Sequence, residues 1–365
     1  MSTAITTRAR TSLQTAFVAD AMAAPAHWYY DPVTLAAAFP NGVSKDKFEA
    51  VPPKHPFTFM KAPQADPALG GKKLVGDIIL RRTGVNWGPV NAHPHCSLKP
   101  GENTTNANVA RLLLRGVAGK PYSPETFVDS YITFMTDPEQ ALNNDTYVEG
   151  YHRTFFTNLT KGAAKDKCGD DTEGAASAGA FTTQAGLILS ELIKDRNVAR
   201  VKAIARKHLH LTAPVERAAV VLDAYVELID ALLFRETAPG SKEDSEFVLA
   251  ALTKAAAVQK VDLAELLKAK HDTDVMGEKF PISCDLANSW PSALYLAAKY
   301  QASPIDALLA NTNISGENCH RGFILGSIVG LISSNLDANI GNLENQLVAK
   351  DAIRSEIDAA LTKEQ

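Results

Sequence analysis

Proline is spread unevenly along this chain, and that divides what the chain can fold into. Nine of the nineteen prolines fall between Pro40 and Pro100, in a stretch also rich in Lys, Gly and His. Proline removes a backbone donor and clashes with the preceding turn, so no run of long helices fits there. Nearly everywhere else, apolar residues recur at helical spacing. Residues 8–24 align Leu13, Phe17, Val18 and Met22, with Pro25 as a stop, and residues 105–117 start from a Thr/Asn cap cluster. Further helical patterns cover about 123–135, 173–194, 197–208, 212–235, 244–257, 262–269, 286–300, 304–311, 319–333 and 343–362. Ser123 before Pro124 reads as an N-cap, and Thr212 before Ala213-Pro214 as a second helix start. Strand-like alternation is short and rare. The expectation is an all-α chain forming one domain over 1–365. Residues 39–103 then form an irregular Pro-rich insertion, either a surface decoration or a wall over a cleft.

Charge and cysteine content narrow the function. The 365 residues carry 37 Lys+Arg against 41 Asp+Glu, a formal charge of −4, without the concentrated basic face of a nucleic-acid binder. No 18-residue uncharged apolar run is present, so no membrane span is expected. Cys96, Cys168, Cys284 and Cys319 are too scattered for a disulfide scaffold or a CxxC zinc site. These features leave a soluble protein of a reducing compartment, expected in the cytoplasm, as the default.

Four polar clusters stand at helix ends. Asp20 occupies the last turn of an apolar helix, where the dipole disfavours an acid, so it serves a site or a buried hydrogen bond. Residues 101–108 (GENTTNAN) lead into a helix, as do Asp170, Asp171 and Thr172 within CGDDTEGAASAGA. Gly316-Glu317-Asn318-Cys319-His320-Arg321 opens a helix with Gly322, Gly326 and Gly330 four apart, a spacing that marks close helix packing. Each cluster alone is explained by N-capping; together they could face one cleft, because helix N-termini supply free N–H groups to an oxygen-rich ligand. The string His93-Pro94-His95-Cys96 can bind zinc or copper with partners from elsewhere, but a loop touching ligand, or a solvated loop, explains it more simply. His208 and His210 read as charge compensation at a helix C-terminus.

The order Ala16-Phe17-Val18-Ala19-Asp20-Ala21 to Pro25, then Thr105-Asn106-Ala107-Asn108, then Asn313 to Gly326 resembles the ADP-ribosylglycohydrolase family. The strings His27–Asp31, Tyr151-His152-Arg153, Asn288–Pro291 and Gly316–Arg321 look most like its branch of J-crystallins and their non-lens relatives. The resemblance spans roughly 8–335 and implies a compact multi-helix orthogonal bundle that takes an ADP-ribose-like ligand. It also implies a pair of magnesium ions, held by Thr-Asp-Asp-Thr and Gly-Asp-x-Asp-Thr segments. Here those read Thr105-Asn106-Ala107-Asn108 and Gly316-Glu317-Asn318-Cys319-His320, leaving Glu317 as the single carboxylate of four. Magnesium prefers hard carboxylate oxygens, so the expectation is no metal cofactor.

Without the metal pair, acid/base work falls to Asp20, His27, Glu317 or His320. Cys319 is a candidate nucleophile at a helix start, although a buried small hydrophobe is its plainer reading, and its side chain and that of His320 do not face each other. Asn103, Thr105, Asn106, Asn108, Asp170, Asp171, Asn318 and Arg321 are the expected substrate contacts, with Arg321 able to clamp a carboxylate or phosphate. The two function classes are a metal-independent hydrolase of the superfamily and a non-catalytic ligand-binding or crystallin-like relative.

Overall fold

The computed structural model describes residues 3–139, 143–333, 335–336 and 340–362. Among these the helices are α1 Thr3–Ala23, α2 Pro32–Ala38, α3 Thr105–Val117, α4 Pro124–Thr136, α5 Gly150–Thr160, α6 Gln184–Lys194, α7 Val198–Thr212 and α8 Glu216–Leu233. There follow α9 Lys242–Ala257, α10 Leu263–Leu266, α11 Asp272–Val275, α12 Leu286–Lys299, α13 Pro304–Ile314, α14 Asn318–Ile332, α15 Gly341–Gln346 and α16 Lys350–Ala360. The only sheet among the described residues is the two-residue antiparallel pair β1 Ala65–Asp66 and β2 Lys72–Lys73. The proline-rich stretch is irregular, as its composition requires.

Helices α1 and α14 form the axis of the core, and α14 is buried along its whole length. Its glycines explain how the two helices come so close. A Cβ on Gly326 would lie 2.8 Å from the Ala16 Cα and the Thr15 carbonyl oxygen; one on Gly330 would lie 2.7 Å from the Ser12 Cα. Backbone therefore packs on backbone, and Ser12 Oγ donates to the Ser327 carbonyl at 2.7 Å. Since Gly322 meets Ala19, the C-terminal end of α1 is set beside the N-terminal end of α14.

Several boundaries differ from the expected ones, for identifiable reasons. Thr212 is the last residue of α7 rather than the start of α8. Residues 173–183 make short 3-10 turns because their backbone pairs elsewhere: Ala178 N–H donates to the Cys284 carbonyl at 2.7 Å, and Leu286 N–H to that of Ala176 at 3.0 Å. The C-terminal pattern splits into α15 and α16, and between them Val348 N–H donates to Gly101 at 3.0 Å. His208 is buried between Tyr122 Oη at 2.7 Å and Thr183 Oγ1 at 2.9 Å, and burial holds its pKa down to about 3. A neutral imidazole compensates no helix charge.

Candidate functional site

The site is assembled where α1 ends and α14 begins. After α1 a 3-10 turn, Ala24–Ala26, leads to His27 and Trp28. Trp28 has a φ of +65°, a conformation that costs a bulky residue energy and persists only when its surroundings impose it. Trp28 N–H donates to the Gly316 carbonyl at 2.9 Å, and its indole Nε1–H to Glu317 Oε2 at 2.8 Å. The opposing turn is also held in the left-handed region, with φ of +67° at Ser315 and +65° at Gly316. A side chain on Gly316 would fall 2.2 Å from the Ile282 carbonyl oxygen. Two strained turns thus clamp Glu317 at the α14 N-terminus, where the helix dipole favours an acid.

From Glu317 the contacts spread to four segments. His320, one turn along α14, places Nδ1 2.6 Å from Glu317 Oε1 and 3.7 Å from Glu149 Oε2. Glu149 immediately precedes α5 and accepts from Asn106 Nδ2 at 2.6 Å. Behind Asn106 stands a relay in which Tyr131 Oη donates to His152 Nδ1 at 2.5 Å and His152 Nε2–H donates to Asn106 Oδ1 at 3.2 Å. Tyr151 Oη, which also meets Asn106 at 3.1 Å, donates to the Gly179 carbonyl at 3.3 Å. On the other side His27 Nδ1 lies 3.0 Å from Asn318 Oδ1, and His95 Nδ1 lies 2.7 Å from Asp145 Oδ1. The His27 and His95 rings are 4.8 Å apart. An aromatic roof closes the group: Trp28 packs at 4.6 Å on both Phe59 and Tyr147.

Burial and charge push the titrating groups apart. Burial opposes the charged form of His320, but Glu149 and Glu317 overcome it and raise its pKa to about 10. Burial likewise works against the Glu317 carboxylate, yet the His320 imidazolium and the Trp28 hydrogen bond hold its pKa well below the ordinary range. Glu149 moves the other way, since burial and the nearby Glu317 charge raise its pKa more than His320 and Asn106 lower it. His27 is held down to about 3, chiefly by burial, and is neutral. The result is one imidazole raised by its neighbours, between a carboxyl held low and a carboxyl held high.

The family model for ADP-ribosylglycohydrolase matches residues 1–359. The chain belongs to the ADP-ribosylglycohydrolase family. A solved structure titled "ADP-ribosylglycohydrolase-related protein complex" superposes with a TM-score of 0.59 at 15% identity, covering 99% of each chain; at that identity the likeness is one of fold. No curated protein sequence matched.

Within this ADP-ribosylglycohydrolase fold, His27, Asn106, Glu317, Asn318 and His320 meet in one buried group, while other expected residues have different partners. Asp20 accepts from Asn103 Nδ2 and Thr104 N–H at 2.9 Å and from Thr104 Oγ1 at 2.7 Å. It fastens the N-terminus of α3, and is thus the buried hydrogen bond of the two roles expected for it. Thr105 pairs with Asp145, its N–H at 2.8 Å, and donates its hydroxyl to the Tyr147 carbonyl at 2.8 Å. Asn108 donates to the Asn103 carbonyl at 3.1 Å, and both line a separate cavity of about 210 Å³ with Glu102, Arg111 and Asn144. Arg321 is fully buried, with Nε donating to Asn311 Oδ1 at 2.7 Å and Nη2 to the Ser315 carbonyl at 2.8 Å. Its part here is to hold the strained turn before Glu317. Asp170 pairs with Thr154 at 3.0 Å and Asp171 is exposed; among the described residues neither contacts the cluster. The third polar segment reaches the site through the Gly179 backbone instead.

Cys319 is fully buried, and burial raises its thiol pKa well above the ordinary value. Its sulfur faces His27 and His95, whereas His320 faces the two glutamates. His93 and His95 are fully buried too, so the loop expected to be solvated is packed inside. Glu149, Asp145, Trp28 and Tyr147 had not been singled out. No local pattern marks them: Asp145, Tyr147 and Glu149 simply precede the Tyr151-His152-Arg153 string, and Trp28 follows His27.

Proposed function

We propose that this ADP-ribosylglycohydrolase relative is a hydrolase acting on a glycosidic bond of an ADP-ribose-like small molecule by acid/base chemistry, without a carboxylate-held magnesium pair. The residues at the family's metal positions support that reading, because they make poor magnesium ligands. Asn106 presents its amide nitrogen to Glu149, Thr105 spends its hydroxyl on a backbone carbonyl, and Cys319 and His320 bring a thiol and an imidazolium. Magnesium prefers near-octahedral oxygen.

The observation that carries the reading is the opposite displacement of Glu149 and Glu317 around His320. Two carboxyls whose environments separate their pKa values divide into an acid and a base. Glu149 gives its proton to the leaving atom as the glycosidic bond breaks, Glu317 takes a proton from the attacking water, and the His320 imidazolium holds both in place. The Trp28, Tyr147 and Phe59 rings offer flat faces to a base. The strings noted above support placing the chain in the J-crystallin-like branch, and a small-molecule role in the cytoplasm fits a chain in which no described helix is long and apolar enough to cross a membrane.

One observation favours the second reading, a non-catalytic ligand-binding or crystallin-like relative. Glu149, Glu317 and His320 are 6%, 2% and 1% exposed, a depth that suits a structural polar network. Incubation with N- and O-linked ADP-ribose conjugates in EDTA separates the two. Release of ADP-ribose, lost in Glu149→Gln and Glu317→Gln, supports the hydrolase. Calorimetric binding of ADP-ribose without turnover selects the binding module, and neither result leaves the structural relative.

A further inference from the structure

We propose that His27 Nε2, His95 Nε2 and Cys319 Sγ form a binding site for a soft divalent transition-metal ion of the zinc class. The inference does not depend on the hydrolase reading. One donor atom from each residue lies within 4.8 Å of the others, and all three side chains are fully buried.

The hydrogen bonds around the two imidazoles fix which nitrogen is free. His95 Nδ1 faces Asp145 Oδ1 at 2.7 Å, and that carboxylate is itself held by the N–H groups of Thr105 at 2.8 Å and Tyr147 at 3.3 Å. The proton of His95 therefore sits on Nδ1, leaving a lone pair on Nε2. Asn318 donates its amide to the Ala26 and Thr312 carbonyls at 3.2 and 3.3 Å, so its oxygen faces His27 Nδ1 as an acceptor. His27 too carries its proton on Nδ1. Neither Nε2 atom has a hydrogen-bond partner. Two unpartnered lone pairs thus lie in the interior, with the Cys319 sulfur within 4.8 Å of a nitrogen of each ring and donating to Asn318 Oδ1 at 3.7 Å, and with Glu317 Oε1 3.6 Å from His27 Nε2 as a further ligand. Two buried imidazole lone pairs without a hydrogen-bond partner are costly, and a cation removes that cost.

Metal-ligating histidines are held in the same way, with the other ring nitrogen donating to a carboxylate or amide oxygen. Neighbouring histidines sharpen the contrast. His55 Nδ1 accepts from Phe57 N–H and His93 Nδ1 from His95 N–H, each at 3.1 Å, so their protons sit on Nε2 and they offer no lone pair there. Of the His93-Pro94-His95-Cys96 string, only His95 is oriented to ligate. Nitrogen and thiolate donors select zinc, copper or cobalt over magnesium. Tetrahedral zinc needs donor separations of about 3.3–3.8 Å, so binding draws the three atoms together by up to about 1.5 Å. The Cys319 thiol loses its proton to solvent as the metal–sulfur bond forms. The expectation of no metal counted carboxylates at the family's positions, and this donor set uses two histidines outside them.

The test uses the full-length protein, stripped with chelator and loaded with zinc or cobalt(II). Expected are one equivalent of bound zinc and, with cobalt, a thiolate-to-metal charge-transfer band. A variant lacking the other thiols, Cys96→Ser/Cys168→Ser/Cys284→Ser, keeps the band, and Cys319→Ser loses it. Asp145→Asn weakens zinc about tenfold to a hundredfold, while His93→Gln binds as the parent does. Far-ultraviolet circular dichroism confirms folding of each variant. If Cys319→Ser does not fold, retention of the band in the triple variant decides for the site and its loss decides against it. Absence of zinc binding by the folded parent overturns the proposal, as does unchanged binding in His27→Ala/His95→Ala.

Discussion

His320 Nδ1 stands 2.6 Å from Glu317 Oε1, one turn further along the same helix, and 3.7 Å from Glu149 Oε2 on a segment 171 residues earlier in the chain. Removing the imidazolium leaves two carboxyls facing each other without a cation. Breaking a buried pair in this way costs about 3–5 kcal/mol. His320→Ala is expected to lose that much in denaturant unfolding at pH 7, and Glu149→Gln in the His320→Ala background to regain part of it. A double variant no more stable than His320→Ala refutes the arrangement.

The pH profile of stability should be peaked. His27, His152 and His208, each chiefly through burial, are held down to about 3, so below about pH 6.5 the unfolded chain binds protons that the folded one refuses. Stability is full above that pH and falls toward about pH 3, by about 1.4 kcal/mol per pH unit for each histidine. Glu317, held low, adds to the acid loss below about pH 4.3, its ordinary value. His320, raised to about 10, acts oppositely: its contribution is complete below about pH 6.5 and is lost as pH rises through about 10. Unfolding midpoints at pH 4.5, 6.5 and 9 should be highest at 6.5, and His208→Gln should flatten the acid limb by about one proton.

Gly326→Ala tests the helix contact. The new methyl meets backbone atoms of α1 at 2.8 Å, which cannot rotate away, so a loss of about 1–3 kcal/mol is expected by thermal unfolding. Gly116→Ala in α3 meets nothing within 4 Å and should be neutral or stabilising by up to about 1 kcal/mol.

Asp20→Asn separates fastening from chemistry. Thr104 donates to Asp20 through both its N–H and its hydroxyl, and hydrogen bonds to a charged acceptor contribute about 1.5–3 kcal/mol. Stability should fall by about that amount, with the pH dependence of any turnover unchanged; a shifted pH–rate profile would show that Asp20 takes part in proton transfer.

Much of the helical frame was legible in local pattern, because helix periodicity, the Ser123 cap and the glycine spacing all act within a few residues. What failed to show was set by partners far along the chain. The turns at 173–183 and the break at 347–349 arise from backbone pairing with 284–286 and Gly101, which no window of sequence contains. The site divides the same way. Asp20 stood out as an acid at the wrong end of a helix, and Glu317 and His320 as a polar start to an apolar one. Glu149 and Asp145 precede α5 without violating any local preference, and only their distant partners mark them.

The glycine-mediated seat of α1 on α14 has a consequence for how the protein is made. The first helix leaves the ribosome roughly 300 residues before its partner, and at about 5–20 residues per second that interval is on the order of 15–60 s. Throughout it, the face that later meets Gly322, Gly326 and Gly330 stays uncovered. Neither the strained turns nor the residues they clamp can assemble until α14 has emerged, so throughout that interval the nascent chain carries an uncovered apolar face of the kind that chaperones shield, before it has a site at all.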